Sequence, residues 1–352
     1  MNAGPSPAPP PSLAPAQVLA GMLAGAWLAQ ALGVVARLGI ADLLDAGPRT
    51  PAEIAAATGT DAGALHRVLR ALAGAGVFAE DESGRFGLTP LAGPLRTDAP
   101  DSIRAYAVMA GERWVWQSFG ALEHSVRTGR PAFDEVFGAP LFDYYAAHPD
   151  AARVSAEGLK SVGRGQDAAV VAAYDFSGAG TVVDVGGGQG GLLAALLAAN
   201  PEARGVLLDL PHIAAMARQS FEAAGLSARC RAEAGDFFRE VPARGDVYLL
   251  RKVIHDWDDE RARRILGTCR SAMTAGSRLL LLEMVVPPGN TPAYAKLLDL
   301  LMLVYAGGRE RTAAEYRDLL TSAGFSMKRI LPTGSALSII EAMPGQEARP
   351  AG

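Results

Sequence analysis

The densest chemical signal in this sequence is the run Val182-Val183-Asp184-Val185-Gly186-Gly187-Gly188-Gln189-Gly190-Gly191. Strand-forming residues with an acid at the third position run into a glycine cluster, and an apolar segment, Leu192 to Ala199, follows. Glycine has no Cβ, so the turn can be tight and a ligand can lie against bare backbone at the start of a helix. That is the pattern of a nucleotide-type cofactor held at the carboxyl end of the first strand of an open α/β sheet. Gly186, Gly188 and Gly191 also satisfy the dinucleotide spacing, which alone is weak, and a loop serving backbone geometry only is the bland alternative. The surrounding charges discriminate better. Asp184 precedes the turn, Asp209 ends the next apolar run, and Asp236 follows a third strand-like stretch, Ser227 to Ala232. A pyrophosphate needs donors and positive potential, which three carboxylates oppose. The same carboxylates favour a ligand carrying a sulfonium, an ammonium and a ribose, so S-adenosylmethionine is the expected cofactor.

A second group of residues has the types needed to move a proton. The strand-like Asp246-Val247-Tyr248-Leu249-Leu250 leads into Arg251-Lys252-Val253-Ile254-His255-Asp256-Trp257. Of five histidines, only His255 stands at a strand end on the cofactor side. The next strand, Arg278 to Leu282, delivers Glu283 at its own carboxyl end. Adjacent strand ends bring imidazole and carboxylate within reach, and a buried carboxylate fixes the imidazole tautomer and favours accepting a proton. The acids that follow, Asp258-Asp259-Glu260, suit the positive end of a helix dipole. A cation site is the competing thought, but consecutive helix positions diverge and do not converge on one ion, so no metal is expected.

These groups need a scaffold. Strands are expected near 181–185, 205–209, 228–232, 246–250 and 278–284, with a closing pair near 325–331 and 335–342, and helices between them at 190–199, 212–224 and 258–274. The alternation predicts a doubly wound α/β sheet over 166–345. The first part reads differently. Thr50 is an expected N-cap, Pro51 a first helical residue and Glu53 a first-turn acid. A second helix carries Leu65, Val68, Leu69 and Leu72 on one face, and Asp81-Glu82-Ser83-Gly84 sits between two short strand-like runs. Helix, helix and hairpin over 16–98 outline a winged helix. Residues 99–165 read as a helical connector dense in aromatics, from which Met109, Trp114 and Phe142 are expected to line an apolar acceptor pocket. Residues 1–15 and 346–352 read as tails, the first rich in proline and alanine.

Bulk properties narrow the function classes. A hydrophobic content of 49% with 20% charged residues fits a soluble multi-domain protein with a sizeable core. A winged helix raises the possibility of a DNA-binding regulator. The net charge of −4, an acidic hairpin tip and only His66, Arg67 and Arg70 on the second helix argue against nucleic acid as a partner. Val18 to Ala36 carries no charge, yet much of it is alanine and glycine and no basic leader precedes it. A helix buried in a subunit interface is therefore expected rather than a membrane segment. Cys230 and Cys269 stand singly, as reduced core residues of a cytoplasmic protein do.

Taken together, these motifs resemble those of the caffeic-acid-type S-adenosylmethionine-dependent O-methyltransferases, especially bacterial members that tailor aromatic natural products. The likeness rests on the glycine loop from Asp184, on Asp209-Leu210-Pro211-His212, on Gly235-Asp236-Phe237-Phe238, on His255-Asp256-Trp257 and on Gly307-Gly308-Arg309-Glu310-Arg311-Thr312. It implies a Rossmann-like class I methyltransferase sheet behind a winged-helix dimerisation domain, and a homodimer formed through that domain. It implies His255 as base with Glu283 and Glu310 in support. Cofactor-binding positions would be Gly186, Asp209, Asp236 and Phe237, with Asp184, Gly188, Leu210, Gly235, Arg251 and Trp257 beside them. Asp256 and Met302 would join the acceptor pocket. Arg251 departs from the lysine of plant relatives, and the loop before Gly307 is one residue shorter than theirs. The implied reaction is an in-line displacement in which a phenolic oxygen attacks the sulfonium methyl while His255 takes its proton. A phenol near 10 and an ordinary imidazole near 6.5 differ by about 3.5 units, or about 5 kcal/mol, so proton removal should accompany attack. The fold also hosts hydroxylases, decarboxylases and pericyclases that bind the cofactor without transferring methyl, and an NAD-linked oxidoreductase is a more distant alternative.

Overall fold

A computed structural model describes residues 14–345, which form two compact units: 14–116 with 150–162, and 117–149 with 163–345. The stretch expected as one connector therefore divides between them. Positions 1–13 and 346–352, expected as tails, lie outside the described residues. Pro15, expected in the first tail, instead opens the helix Pro15–Arg37. A proline suits a first helical turn because its missing N–H needs no partner there.

In the first unit, Thr50 and Glu53 form a reciprocal capping box, with the Thr50 amide donating to Glu53 at 2.7 Å, and so start the helix Pro51–Thr58. Asp61 accepts from the Ala64 amide at 2.7 Å and starts Ala62–Gly74, which buries Leu65, Leu69 and Leu72 along one face. Strands β1 (Phe78–Glu80) and β2 (Phe86–Leu88) pair antiparallel, completing the winged-helix outline. The helix Pro15–Arg37 is long and apolar enough to span a bilayer by length and composition alone. Leu19, Met22, Leu23 and Trp27 are exposed along it.

The second unit is built on seven strands: β3 (Thr181–Val185), β4 (Arg204–Asp209), β5 (Cys230–Ala234), β6 (Val247–Arg251), β7 (Arg278–Glu283), and, beyond a short parallel pair β8 (Val285–Val286) and β9 (Arg311–Thr312), β10 (Phe325–Pro332) and β11 (Ser338–Pro344). The sheet order is β10-β11-β7-β6-β3-β4-β5, parallel from β7 to β5, with the β10–β11 hairpin antiparallel at one edge. Its central strands β3, β4, β6 and β7 are buried along nearly their whole length because both faces are covered, while the edge strands β5 and β10 carry exposed polar residues. Side chains alternate between two cores. Val182, Leu207, Leu249 and Leu280 pack into one, while Val183, Val206, Leu208, Leu250 and Leu281 pack into the other. The chain runs outward from β3 through β4 to β5 and then returns to β6 on the opposite side of β3. The topological switch point, where such sheets bind ligands, therefore lies at the carboxyl ends of β3 and β6.

Candidate active site

The turn after β6 begins with a strained residue. Lys252 has φ 52°, a left-handed conformation that L-residues seldom adopt. Its amide still donates to the Leu282 carbonyl of β7 at 3.1 Å, but the three following amides leave the β7 backbone for a side chain. Val253, Ile254 and His255 donate to Glu283 Oε1 at 3.1, 2.9 and 3.4 Å. A carboxylate seated on successive amides binds as an anion does in a backbone nest. Glu283 thus fixes the short helical turn Ile254–Asp256 that carries His255. Its other oxygen, Oε2, lies 3.8 Å from His255 Nδ1 without a hydrogen-bond partner.

The direct partner of the imidazole is Glu310, whose Oε1 lies 2.7 Å from Nδ1. Glu310 arrives through the β8–β9 pair: β8 follows Glu283 by one residue, β9 follows Glu310 directly, and Val285 pairs with Arg311. Asp299 accepts the Glu310 amide at 2.8 Å. Gly308 explains the closeness of this segment to the His255 turn, since a Cβ there would collide with the His255 carbonyl oxygen and the Asp256 backbone. Asp256 Oδ1 faces the other ring nitrogen, Nε2, at 3.4 Å. His255, Glu283 and Glu310 are all buried and present ligand-type atoms within 4.8 Å of one another.

Charge in this cluster is shared unevenly. Burial alone would lower the His255 pKa, but Glu283, Asp256 and Glu310 outweigh it and raise the imidazole to about 9. Burial raises Glu283 to about 7 against the pull of His255, and burial also raises Asp256. Burial lowers Lys252, with Arg251 beside it acting in the same direction.

The residues at the strand ends beside this cluster fit the expected cofactor. Asp184 is 1% exposed, neither carboxylate oxygen has a hydrogen-bond partner, and burial raises it to about 7 despite the opposing charge of Arg251. An orphaned buried carboxylate suits an ammonium or sulfonium ligand and opposes a diphosphate. Gly188 has φ 60° and nothing within 4 Å of where a Cβ would sit, so the loop presents bare backbone to open space. Asp209 receives the Gly188 amide at 2.9 Å and the Leu210 amide at 2.7 Å, and burial raises its pKa against those bonds. Asp236 accepts the Phe238 amide at 2.9 Å and lies 3.5 Å from Arg239. Gly235 continues from β5 by donating to the Asp209 carbonyl at 3.0 Å. Phe237 stands close to Gly186 and meets the Trp257 ring edge-on.

Arg251 is committed to Asp167 by a short ion pair and to the Gly163 carbonyl at 3.2 Å. Asp167 was invisible to sequence reasoning because it lies on a helix 84 residues away. Of the expected acceptor-lining residues, Phe142 is 44% exposed and stacks on Trp257 with 24° between the rings. Met302 is buried in the last turn of the helix Tyr294–Tyr305. Met109 and Trp114 are buried in the first unit, and Gly158 owes its lack of a side chain to Met109, whose Cβ and Sδ occupy the space. The three acids stand where a helix dipole favours them: Asp258 caps the helix Asp259–Ala272, accepting from the Arg261 amide at 2.8 Å, and Asp259 and Glu260 lie in its first turn. Asp259 also binds Arg311 at 2.8 and 3.0 Å.

Comparison with known proteins fits this geometry. Residues 119–326 match the family model of the O-methyltransferase domain, and residues 21–98 that of the O-methyltransferase dimerisation domain. The chain is 49% identical over 327 residues to phenazine O-methyltransferase PhzM of Lysobacter antibioticus, covering 93% of this chain and 96% of that one. It is 39% identical to 8-amino-8-demethylriboflavin N,N-dimethyltransferase of Streptomyces davaonensis, covering 88% and 90%. The solved structure of NcsB1, an O-methyltransferase from neocarzinostatin biosynthesis in complex with S-adenosylmethionine and 2-hydroxy-5-methyl naphthoic acid, superposes with a TM-score of 0.79 at 37% identity, covering 90% and 95%. A dimerisation domain, a methyltransferase sheet and a carboxylate-lined glycine loop suited to a sulfonium ligand thus occur in one chain, and the chain belongs to the S-adenosylmethionine-dependent O-methyltransferase family.

Proposed function

We propose that this enzyme methylates a phenolic hydroxyl of a planar aromatic small molecule in bacterial secondary metabolism, with His255 as general base. The observation that carries the reading is the buried imidazole, tied through Nδ1 to Glu310 at 2.7 Å, which leaves Nε2 to accept a proton. S-adenosylmethionine, when bound, supplies a methyl group on a positively charged sulfur that an oxygen nucleophile can displace. Asp184 and Asp209 are assigned to its charged and hydroxyl-bearing parts, and the Gly186–Gly188 backbone to its close approach. Gly235, Asp236, Phe237 and Leu210 flank it, and Arg251 closes the same end.

An acceptor hydroxyl competes with Asp256 for Nε2. His255 takes the proton as the oxygen attacks. With the imidazole at about 9 and a phenol near 10, the mismatch falls to about one unit, or about 1.4 kcal/mol. An ordinary imidazole would leave about 5 kcal/mol. Phe142 and Trp257 offer flat apolar surface to an aromatic ring, with Met302 as further lining. The exposed apolar face of Pro15–Arg37 is proposed to be covered by a second copy, as the dimerisation domain supports. The buried thiols Cys230 and Cys269 suit the cytoplasm, and neither nucleic acid nor membrane is a proposed partner.

Mass spectrometry of the enzyme with cofactor and a panel of phenols tests this. S-adenosylhomocysteine and a methyl ether should form in equal amounts. Methyl on nitrogen would refute the phenolic acceptor. An acceptor hydroxylated, decarboxylated or rearranged with the cofactor unchanged would refute methyl transfer.

A further inference from the structure

We propose that Arg311 is a positioning residue for methyl transfer: its guanidinium grips both ends of the turn that carries His255 and so sets the imidazole against Glu310. The inference rests on His255 acting as the base. Arg311 is 0% exposed, and its five N–H donors meet five contacts. Nη1 donates to the Ile254 carbonyl at 3.1 Å and the Arg309 carbonyl at 3.2 Å. Nη2 donates to the Trp257 carbonyl at 2.9 Å and to Asp259 Oδ1 at 2.8 Å, and Nε reaches the same oxygen at 3.0 Å. Ile254 and Trp257 bracket His255 in the chain. Their carbonyls are therefore pinned from one side while Glu283 pins the Val253, Ile254 and His255 amides from the other.

Chain geometry links this grip to the base itself. Arg311 follows Glu310 directly, and its pairing with Val285 fixes the level of both. Neighbouring residues on an extended segment point to opposite sides. Glu310 holds the ring and Arg311 holds the backbone beneath it, so a shift of the guanidinium moves His255 relative to Glu310. Lysine carries the charge needed for Asp259 but lacks the planar fork, so it leaves at least one of the two turn carbonyls without its donor. A cation serving only to satisfy buried carbonyls would affect stability and leave the behaviour of the imidazole alone.

The test compares Arg311→Lys, Asp259→Asn and His255→Gln. For each, melting temperature, cofactor affinity by calorimetry, and the pH dependence of kcat/KM are measured. Arg311→Lys should bind S-adenosylmethionine within about twofold of wild type and lose about 10²-fold in kcat, as expected for a displacement of about 1 Å. Its pH midpoint should fall by about one unit, because the contact that favours the imidazolium is loosened. Asp259→Asn changes a half-exposed side chain and should move both quantities the same way, with about a 10-fold loss in kcat. If Arg311→Lys does not fold, Asp259→Asn decides. Activity falling only in proportion to the folded fraction, with the midpoint unmoved, overturns the inference, and so does wild-type kcat. His255→Gln separates the two levels. If it turns over like wild type, the base assignment fails. If it is inactive while the other two variants keep the wild-type midpoint, only the role of Arg311 fails.

Discussion

At His255 three carboxylates and one imidazole divide protons among themselves, and burial makes each division costly. The imidazole lies near 9 because Glu283, Asp256 and Glu310 together overcome its burial. A base works in its deprotonated form, so raising its pKa makes the proton transfer more nearly level while reducing the fraction of enzyme ready to accept. The sign follows. For an acceptor already ionisation-corrected, kcat/KM should climb about tenfold per pH unit between about 6.5 and 9 and then level off. An unperturbed histidine would level off just above 6.5. Glu310→Gln removes one of the charges that raise the imidazole, so its plateau should begin at lower pH with a reduced height. A wild-type plateau reached by pH 7 would show that the carboxylates do not act on this ring in solution.

The elements matter here through what they bring to one point. β6 and β7 are neighbours in a parallel sheet, so the proximity of His255 to Glu283 is legible from alternating strands and helices alone. The task of Glu283 is not. It depends on Lys252 at φ 52° aiming three amides at one oxygen, and no residue preference announces that conformation at a lysine. Glu310 reaches the site by the two-residue β8–β9 pair, too short to read as a strand, so only the family likeness pointed to it. Arg311 stood in the Gly307–Thr312 motif without a role of its own, because burial of an arginine depends on partners distant in the chain. The same pair makes Gly308→Ala a severe test. A methyl group there meets the His255 carbonyl oxygen, so the turn must shift. We expect about a 10²-fold loss of kcat with cofactor affinity little changed, measured by calorimetry alongside steady-state kinetics. Full activity would show that the Gly307–Gly308 segment does not hold the turn.

On the scale of the molecule, the winged-helix outline was readable from a cap, an apolar face and turn residues: Thr50 with Glu53, Leu65 to Leu72, and the Asp81–Gly84 turn. The apolar segment 18–36 was readable as a helix, and the structure adds that Leu23 and Trp27 are each 76% exposed within this chain. Apolar side chains of that size left in water disfavour the lone chain by about 1.5–3 kcal/mol each relative to burial. Leu23→Glu combined with Trp27→Glu should therefore convert a dimer of twice the chain mass into a monomer by light scattering. A monomeric wild type would remove the second copy from the account. Acceptor identity was not legible at any scale, since flat aromatic surface from Phe142 and Trp257 specifies a ring without specifying its substituents.

The claim on which the rest depends is that His255 removes the acceptor proton during methyl transfer, and a graded series of phenols tests it most directly. Single-turnover rates are measured for wild type and His255→Gln against acceptors whose hydroxyls range from weakly to strongly acidic. With the base in place, the rate should depend only weakly on acidity. Without it, weakly acidic phenols should slow by about 10²–10⁴-fold while those already ionised approach the wild-type rate. Equal slopes in the two enzymes, or unchanged turnover of a weakly acidic phenol by His255→Gln, would contradict the account.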